Sequence, residues 1–185
     1  MNDVVIRKGR GFNPDFDLLL WILRARGVDS NRKYLCGLCV DPDGTLVATD
    51  GVRLHSGKPT NPLPHLEAGL WAYIYSSEDV VVLEFDNDHS FPVWKEAIPT
   101  EEQLGPVFDL YDANDETTPA YKLMCEGRQA VNIRYLMDIL RGGLVYKVRV
   151  SQVEARFKPI IFTRDDRMAI LMPMNIPITI EAETK

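Results

Sequence analysis

The stretch Val47–His55, VATDGVRLH, decides how this chain is read. It is an apolar run, an Asp-Gly reversal, and then alternating apolar and polar side chains. Asp-Gly between two strand-like runs is a strong hairpin signal, because glycine reaches positive φ without steric cost. That local reading accounts for Asp50 and Gly51, but not for the choice of Thr49, Arg53 and Leu54 beside them.

On either side of this hairpin the chain alternates between helices and strand-rich stretches. The opening VVIRKG reads as a short strand. Asn13-Pro14 is a helix start, with Asn as N-cap and Pro at the first helical position. The helix runs through DFDLLLWILRAR to Gly27, with Asp15 and Asp17 in its first turn and Arg24 and Arg26 in its last, complementing the macrodipole. Strands are predicted at Tyr34–Val40, Thr45–Thr49, Leu70–Ser76 and Val80–Phe85. From Asp86 to Ala120 regular pattern gives way to Pro, Asp, Glu and Asn, an excursion or linker. A strand at Ala120–Cys125, a helix at Asn132–Arg141 and strands at Leu144–Val153, Pro159–Thr163 and Met168–Met172 follow, then an apolar segment, Ile176–Ile180. The order strand, helix, strands therefore occurs twice. It implies an α+β fold with two helices on one face of antiparallel sheet. We take residues 1–185 as a single domain: 1–85 as the first half, 86–120 as the acidic excursion and 121–185 as the second half.

Composition narrows the function classes. Of the chain, 45% is hydrophobic and 26% charged, which is ordinary for a globular protein. No apolar run approaches a membrane span and the start lacks a signal-peptide core, so a cytoplasmic protein without membrane contact is expected. The net charge is −6, and the stretch from Lys95 to Ala120, with seven acids and one base, accounts for all of it. The remaining residues balance, which leaves nucleic-acid binding open without arguing for it.

Catalytic and metal patterns are absent, so neither enzymatic activity nor a cofactor is expected. Cys36-Gly37-Leu38-Cys39 is a CxxC, but i and i+3 on a strand point to opposite faces and no second pair completes a site. Structural cysteines are the expectation, and no metal. Asp41 and Asp43 lack EF-hand spacing and read as a plain turn. His55, His65 and His89 have no partnered nucleophile, and Asp165-Asp166 and Glu101-Glu102 read as solvated turns. The run Leu18–Leu23, LLLWIL, is apolar all round its helix. Either the excursion folds over its extra face, or that face is an oligomer interface.

Several segments together carry a family resemblance. VATDGVRLH is similar to the ATDGxRL turn of bacterial DNA polymerase III beta sliding clamps. Val131–Leu140, VNIRYLMDIL, resembles the second-helix segment of the C-terminal clamp domain, and Ile170–Ile176, ILMPMNI, resembles its Met-Pro-Met ending. Pro159-Ile160-Ile161-Phe162 sits where a clamp has its penultimate strand, and the duplicated pattern matches the two halves of a clamp domain. The resemblance spans residues 1–85 loosely and 121–176 more closely.

The resemblance implies a DNA-clamp fold, a ring with helices lining the hole, and a non-enzymatic role as a processivity factor that encircles duplex DNA and tethers polymerases. It implies DNA-facing residues Arg24, Arg26, Arg134 and Arg141 on the two helices. It also implies a groove for a short hydrophobic motif of a polymerase-like or other partner, lined by Thr49, Gly51, Val52, Arg53, Leu54, Leu171, Met172, Pro173 and Met174. Adaptable Met beside Leu and Pro suits such a groove. A clamp subunit carries several such domains, so a ring would need a head-to-tail homo-oligomer, with the groove between protomers. The predicted helix faces are only weakly basic, which implies weak DNA contact per subunit. The alternative keeps the fold and drops DNA, leaving a clamp-derived protein-interaction module.

Overall fold

The computed structural model describes residues 3–11, 13–63, 65–111, 130–141, 145–152 and 158–174. Among these described residues ten strands form one antiparallel sheet: β1 Asp3–Arg7, β2 Gly37–Val40, β3 Leu46–Thr49, β4 Arg53–Gly57, β5 Gly69–Ser76, β6 Val80–Asp86, β7 Phe108–Tyr111, β8 Val145–Val150, β9 Ile160–Arg164 and β10 Arg167–Leu171. Their order across the sheet is β1-β6-β5-β2-β3-β4-β10-β9-β8-β7. The two halves meet at β4 and β10, where Arg53 pairs with Leu171, Leu54 with Ile170 and His55 with Ala169. Residues separated by more than a hundred positions are thus made neighbours by backbone pairing.

Helix α1, Pro14–Leu23, begins as the sequence implies: the Asn13 side chain accepts from the N–H groups of Asp15 and Phe16. It stops earlier than predicted, with Arg24 as its C-cap. Helix α2, Ile133–Leu140, is capped by Asn132, whose side chain accepts from the Arg134 N–H. Both helices pack on one face of the sheet. Phe16, Leu18, Leu19 and Ile22 of α1 share a core with Leu136, Ile139 and Leu140 of α2 and with Leu46, Ala48, Tyr146, Phe162, Ala169 and Leu171 of the strands. The helices are tied directly, the Trp21 indole N–H donating to the Ile139 carbonyl at 3.0 Å. Burying a Leu, Ile or Phe side chain contributes about 1.5–3 kcal/mol, so this shared core is the main stabilising element.

Leu18, Leu19, Trp21, Ile22 and Leu23 are buried, and Leu20 half-buried, without the excursion or a second chain. The sheet covers one side and α2 another. The segment after β4 closes the N-terminal end, where the Thr60 and Asn61 N–H groups donate to the buried Asp15 carboxylate at 2.7 and 3.1 Å. The excursion instead packs on the opposite face of the sheet. Phe91, Trp94, Ile98 and Leu104 lie against Cys39, Val47, Leu54, Ile161 and Ile170, forming a second, smaller core.

Two stretches differ from the sequence reading. Tyr34 and Leu35 belong to a 3₁₀ stretch, Ser30–Leu35, and the strand begins only at Gly37. There β5 runs so close that a Cβ on Gly37 would lie 2.1 Å from the Trp71 carbonyl oxygen. The excursion is also partly regular, because it contains β7, which pairs with β8. The predicted strand Ala120–Cys125 and apolar segment Ile176–Ile180 lie outside the described residues.

Candidate partner-peptide groove and helix face

The hairpin that opened the sequence argument is built by its own polar side chains. Gly51 takes φ +90°, and Asp50 Oδ1 accepts from the Val52 and Arg53 N–H groups, both at 2.9 Å. Thr49 Oγ1 donates to the Arg53 carbonyl at 2.6 Å and accepts from the Gly51 N–H at 3.0 Å. Of the side chains that a plain Asp-Gly turn leaves unexplained, Thr49 fixes the loop by these two bonds and Arg53 joins it through its ion pair with Asp50.

Strand alternation then sends successive residues to opposite faces. Leu54, Ile170 and Met172 point away from the helices, while Arg53, His55 and Leu171 point toward them. The outward set lines an apolar groove of about 320 Å³ with Tyr34, Leu35, Thr49, Gly51, Val52 and, from the excursion, Pro92, Val93, Trp94 and Ala97. Its two strands are held in register by the β4–β10 pairing, and the Met172 N–H donates to the Val52 carbonyl at 2.9 Å. The groove lies inside one chain, not between protomers as the resemblance implied. The excursion wall is anchored at its base: the Trp94 indole N–H donates to Asp41 Oδ1 at 3.3 Å, and Lys95 pairs with Asp41 Oδ2 at 2.7 Å.

Of the residues singled out from the sequence, Thr49, Gly51, Val52, Arg53, Leu54 and Met172 line this groove. Leu171 does not: it is buried in the main core under α2. Pro173 is buried and Met174 exposed, and neither lines the groove; the Met174 N–H donates to the Ala130 carbonyl, toward the start of α2. Ile170 belongs in the set and was passed over. Period-two alternation places it with Met172, so the signal was present. Tyr34, Leu35 and the Pro92–Ala97 wall carried no such signal.

Arg53 contributes to the groove only at its edge, because its guanidinium is turned to the helix face. It pairs with Asp50 Oδ2 at 3.1 Å and with Asp138 of α2, and lies 4.2 Å over the Tyr135 ring. Asp138 also receives Arg24 at 3.5 Å. Burial and the nearby Arg141 hold the Arg24 guanidinium below its usual pKa, with Asp138 opposing them. Arg26 is occupied as well, its guanidinium 3.6 Å over the Tyr73 ring and donating to the Leu23 carbonyl. The acids of the first turn of α1 are engaged away from these arginines: Asp17 meets Lys8 at 3.9 Å, and Asp15 accepts from the Thr60 and Asn61 N–H groups. Of the four arginines assigned to DNA, only Arg134 and Arg141 are exposed.

His55 is fully buried, stacked on Trp21 at 4.2 Å between ring centres, with Nδ1 donating to the Trp21 carbonyl at 2.8 Å. Desolvation pushes its pKa down to about 3 against that hydrogen bond. It is a neutral structural residue that satisfies a carbonyl at the end of α1. Cys39 is buried in the outer core, where desolvation pushes its thiol up to about 11. The Cys36 thiol donates instead to the Asp29 carbonyl at 3.2 Å. No cluster of metal-ligating side chains occurs among the described residues.

With its duplicated strand-helix-strand pattern and two helices on one face of a continuous antiparallel sheet, the chain has the fold of the bacterial DNA polymerase III beta sliding clamps. Among solved structures the chain is similar to the DNA polymerase III beta subunit of Thermotoga maritima, with TM-score 0.58 and 13% identity over 94% of this chain and 65% of that one. It is also similar to the C. crescentus beta sliding clamp, with TM-score 0.57 and 15% identity over 95% and 66%. A third such structure is the Helicobacter pylori beta clamp bound to a DNA ligase peptide, with TM-score 0.55 and 13% identity over 94% and 65%. The chain therefore spans about two thirds of the length of these clamps. The sequence matches no protein-family model and none of the curated proteins. At these identities the likeness is one of fold. No helix among the described residues is long and apolar enough to cross a membrane.

Proposed function

We propose that this chain is a non-enzymatic, clamp-fold accessory of DNA replication or repair that tethers partner proteins by a short hydrophobic peptide. The observation that carries this reading is the β4–β10 pairing, which closes an apolar groove within a single chain around Thr49, Val52, Leu54, Ile170 and Met172. A preformed apolar trough with a few fixed polar groups is what a short peptide needs, because little ordering cost remains to be met on binding. Val52 is 44% exposed at the groove mouth, so a charge there leaves the core intact. Val52→Asp is expected to weaken binding of a synthetic peptide carrying leucine and phenylalanine at least tenfold by fluorescence anisotropy. Met174→Asp, outside the groove, is expected to leave it unchanged. Equal loss in both variants, or none in either, contradicts the reading.

Contact with duplex DNA is the accompanying part of the proposal, and it rests on Arg134 and Arg141, which are exposed and, among the described residues, lie outside the ion pairs that occupy Arg24 and Arg53. With so few cations per chain, counterion release gives weak, salt-steep association unless a homo-oligomer multiplies the contacts. Duplex retention is expected only at low salt, and to be lost when Arg134 and Arg141 are both replaced by Glu. Retention that survives both changes removes this face from consideration and leaves the protein-interaction module.

A further inference from the structure

Strand β1 ends the sheet on one side: it pairs with β6 and, among the described residues, with no strand beyond it. Its register against β6 shows which backbone groups are left for another chain. The Lys8 N–H donates to the Asp79 carbonyl at 2.9 Å, so by the alternation of an antiparallel ladder Lys8, Ile6 and Val4 exchange bonds with β6. The N–H and C=O groups of Asp3, Val5 and Arg7 therefore point out from the edge. Their side chains lie on the face opposite the helices, because Ile6 is buried in the main core, and all three are exposed, Val5 by 49%. Edge strands are ordinarily guarded by proline, lysine, a bulge or a covering segment. The sequence of β1, DVVIR, has neither proline nor lysine, and its register is unbroken. Its charges instead flank Val5 symmetrically, Asp3 on one side and Arg7 on the other. Within the chain Asp3 stands opposite Glu84 and Arg7 opposite Val80, so neither meets an opposite charge across the ladder. We propose that β1 is the interface of a two-fold dimer, pairing antiparallel with β1 of a second copy about Val5.

In that register Asp3 faces Arg7 of the second copy, Val5 faces Val5, and Arg7 faces Asp3. These are the residues whose backbone groups point outward, so each facing pair can exchange both of its hydrogen bonds. Opposite charges facing each other across strands attract, whereas like charges repel. Slipping the register by two residues sets Asp3 or Arg7 against Val5 and loses both charge pairs. On the helix side Val4 faces Ile6. On the outer side Val5 lies opposite Val82, and Val82 opposite Tyr75, which is 55% exposed, so an apolar row in each chain continues across the axis. Such a contact is isologous and closes at two chains, unlike the head-to-tail ring that the resemblance implies. Its axis stands perpendicular to the sheet, so the helices of both chains share one face. Strands β6, β5, β2 and β3 separate β1 from β4, so the dimer leaves the groove open and does not depend on what the groove binds. An edge of five residues buries less than the roughly 1,000 Å² that marks a stable interface, so the dimer forms at high concentration and dissociates on dilution.

The test follows the mass of the full chain by light scattering over a protein concentration series. The mass is expected to rise from 21.0 kDa toward twice that value and to return on dilution. Asp3→Arg and Arg7→Asp each put like charges into both facing pairs, and each is expected to raise the dissociation constant at least tenfold. The double variant Asp3→Arg with Arg7→Asp is expected to regain the original constant. An equal mixture of the two single variants is expected to associate as well, since each supplies the charges that the other lacks. Val5→Pro removes an N–H that points out from the edge, a place where proline is tolerated, and is expected to abolish the dimer while leaving the circular dichroism of the chain unchanged. A mass of one chain at every concentration overturns the proposal, and so does a mass that climbs past two chains. Association that neither single variant weakens places the contact away from β1. Loss in both single variants without recovery in the double variant or the mixture sets β1 against a different surface, as in a head-to-tail contact, and also overturns it.

Discussion

Lowering the pH from 6.5 toward 3 is expected to strip on the order of 4 kcal/mol from the stability of this chain through His55 alone. The imidazole is held neutral in the folded state, its pKa pushed down to about 3, first by burial and then against the Trp21 carbonyl that Nδ1 contacts. Unfolded, it titrates near 6.5. Above that value both states carry the same neutral ring and the fold is fully stable. Below it the unfolded chain binds a proton that the folded chain refuses, so stability falls by about 1.4 kcal/mol per pH unit until the folded pKa is reached. The charges nearest the ring, Arg53, Asp138 and Arg24, offset one another in part and leave desolvation dominant. His55→Gln keeps an N–H for the Trp21 carbonyl and cannot take up the proton. Urea titrations between pH 7 and 4 are expected to show a steep loss for the unsubstituted chain and a shallower one for His55→Gln. Parallel curves would show that His55 is not the acid-sensitive element.

Replacing Arg53 by Met is expected to cost about 3 kcal/mol, the lower end for removing one partner of a buried pair, since Asp138 keeps 29% side-chain exposure. The substitution leaves Asp138 with Arg24 alone, frees Asp50 from its ion pair and removes the stack on Tyr135. It acts on function as well as stability, because Arg53 spans the sheet from the groove turn to α2. Peptide affinity is expected to fall with stability, although Arg53 touches the groove only at its edge and its guanidinium faces the helices. The variant pair Arg53→Met and Asp138→Asn supplies a thermodynamic cycle. A coupling energy near zero would mean that the two residues stabilise the fold independently.

Much of this architecture could be read from local signals. Asn13-Pro14 caps a real helix, a second helix stands within Asn132–Arg141, Asp50-Gly51 makes a real hairpin, and the two strand-helix-strand halves share one sheet with both helices on one face. What escaped was fixed at long range. The excursion has no periodicity because its order comes from distant partners: Trp94 on Asp41, the Gln152 N–H on the Gln103 carbonyl, and Arg149 on Glu101. Within it, β7 is four residues long and shows only against β8. Tyr34 and Leu35 looked like strand because aromatic and branched residues favour strands, yet a 3₁₀ turn capped by Asp29 holds them. The groove was half legible. Its turn and Met172 followed from the motif, Ile170 and the inward Leu171 followed from an alternation that the motif obscured, and the Pro92–Ala97 wall came only with the fold.

The central claim is that one chain, by itself, presents one peptide groove. A methyl-resolved titration of dilute protein, with its mass followed by light scattering, tests it most directly, using the leucine-phenylalanine peptide at saturation. The expected result is one peptide bound per 21.0 kDa chain, with the largest shifts at Val52, Leu54, Ile170 and Met172 and the mass still that of a single chain plus peptide. Shifts centred elsewhere, or binding that appears only once chains associate, would contradict it.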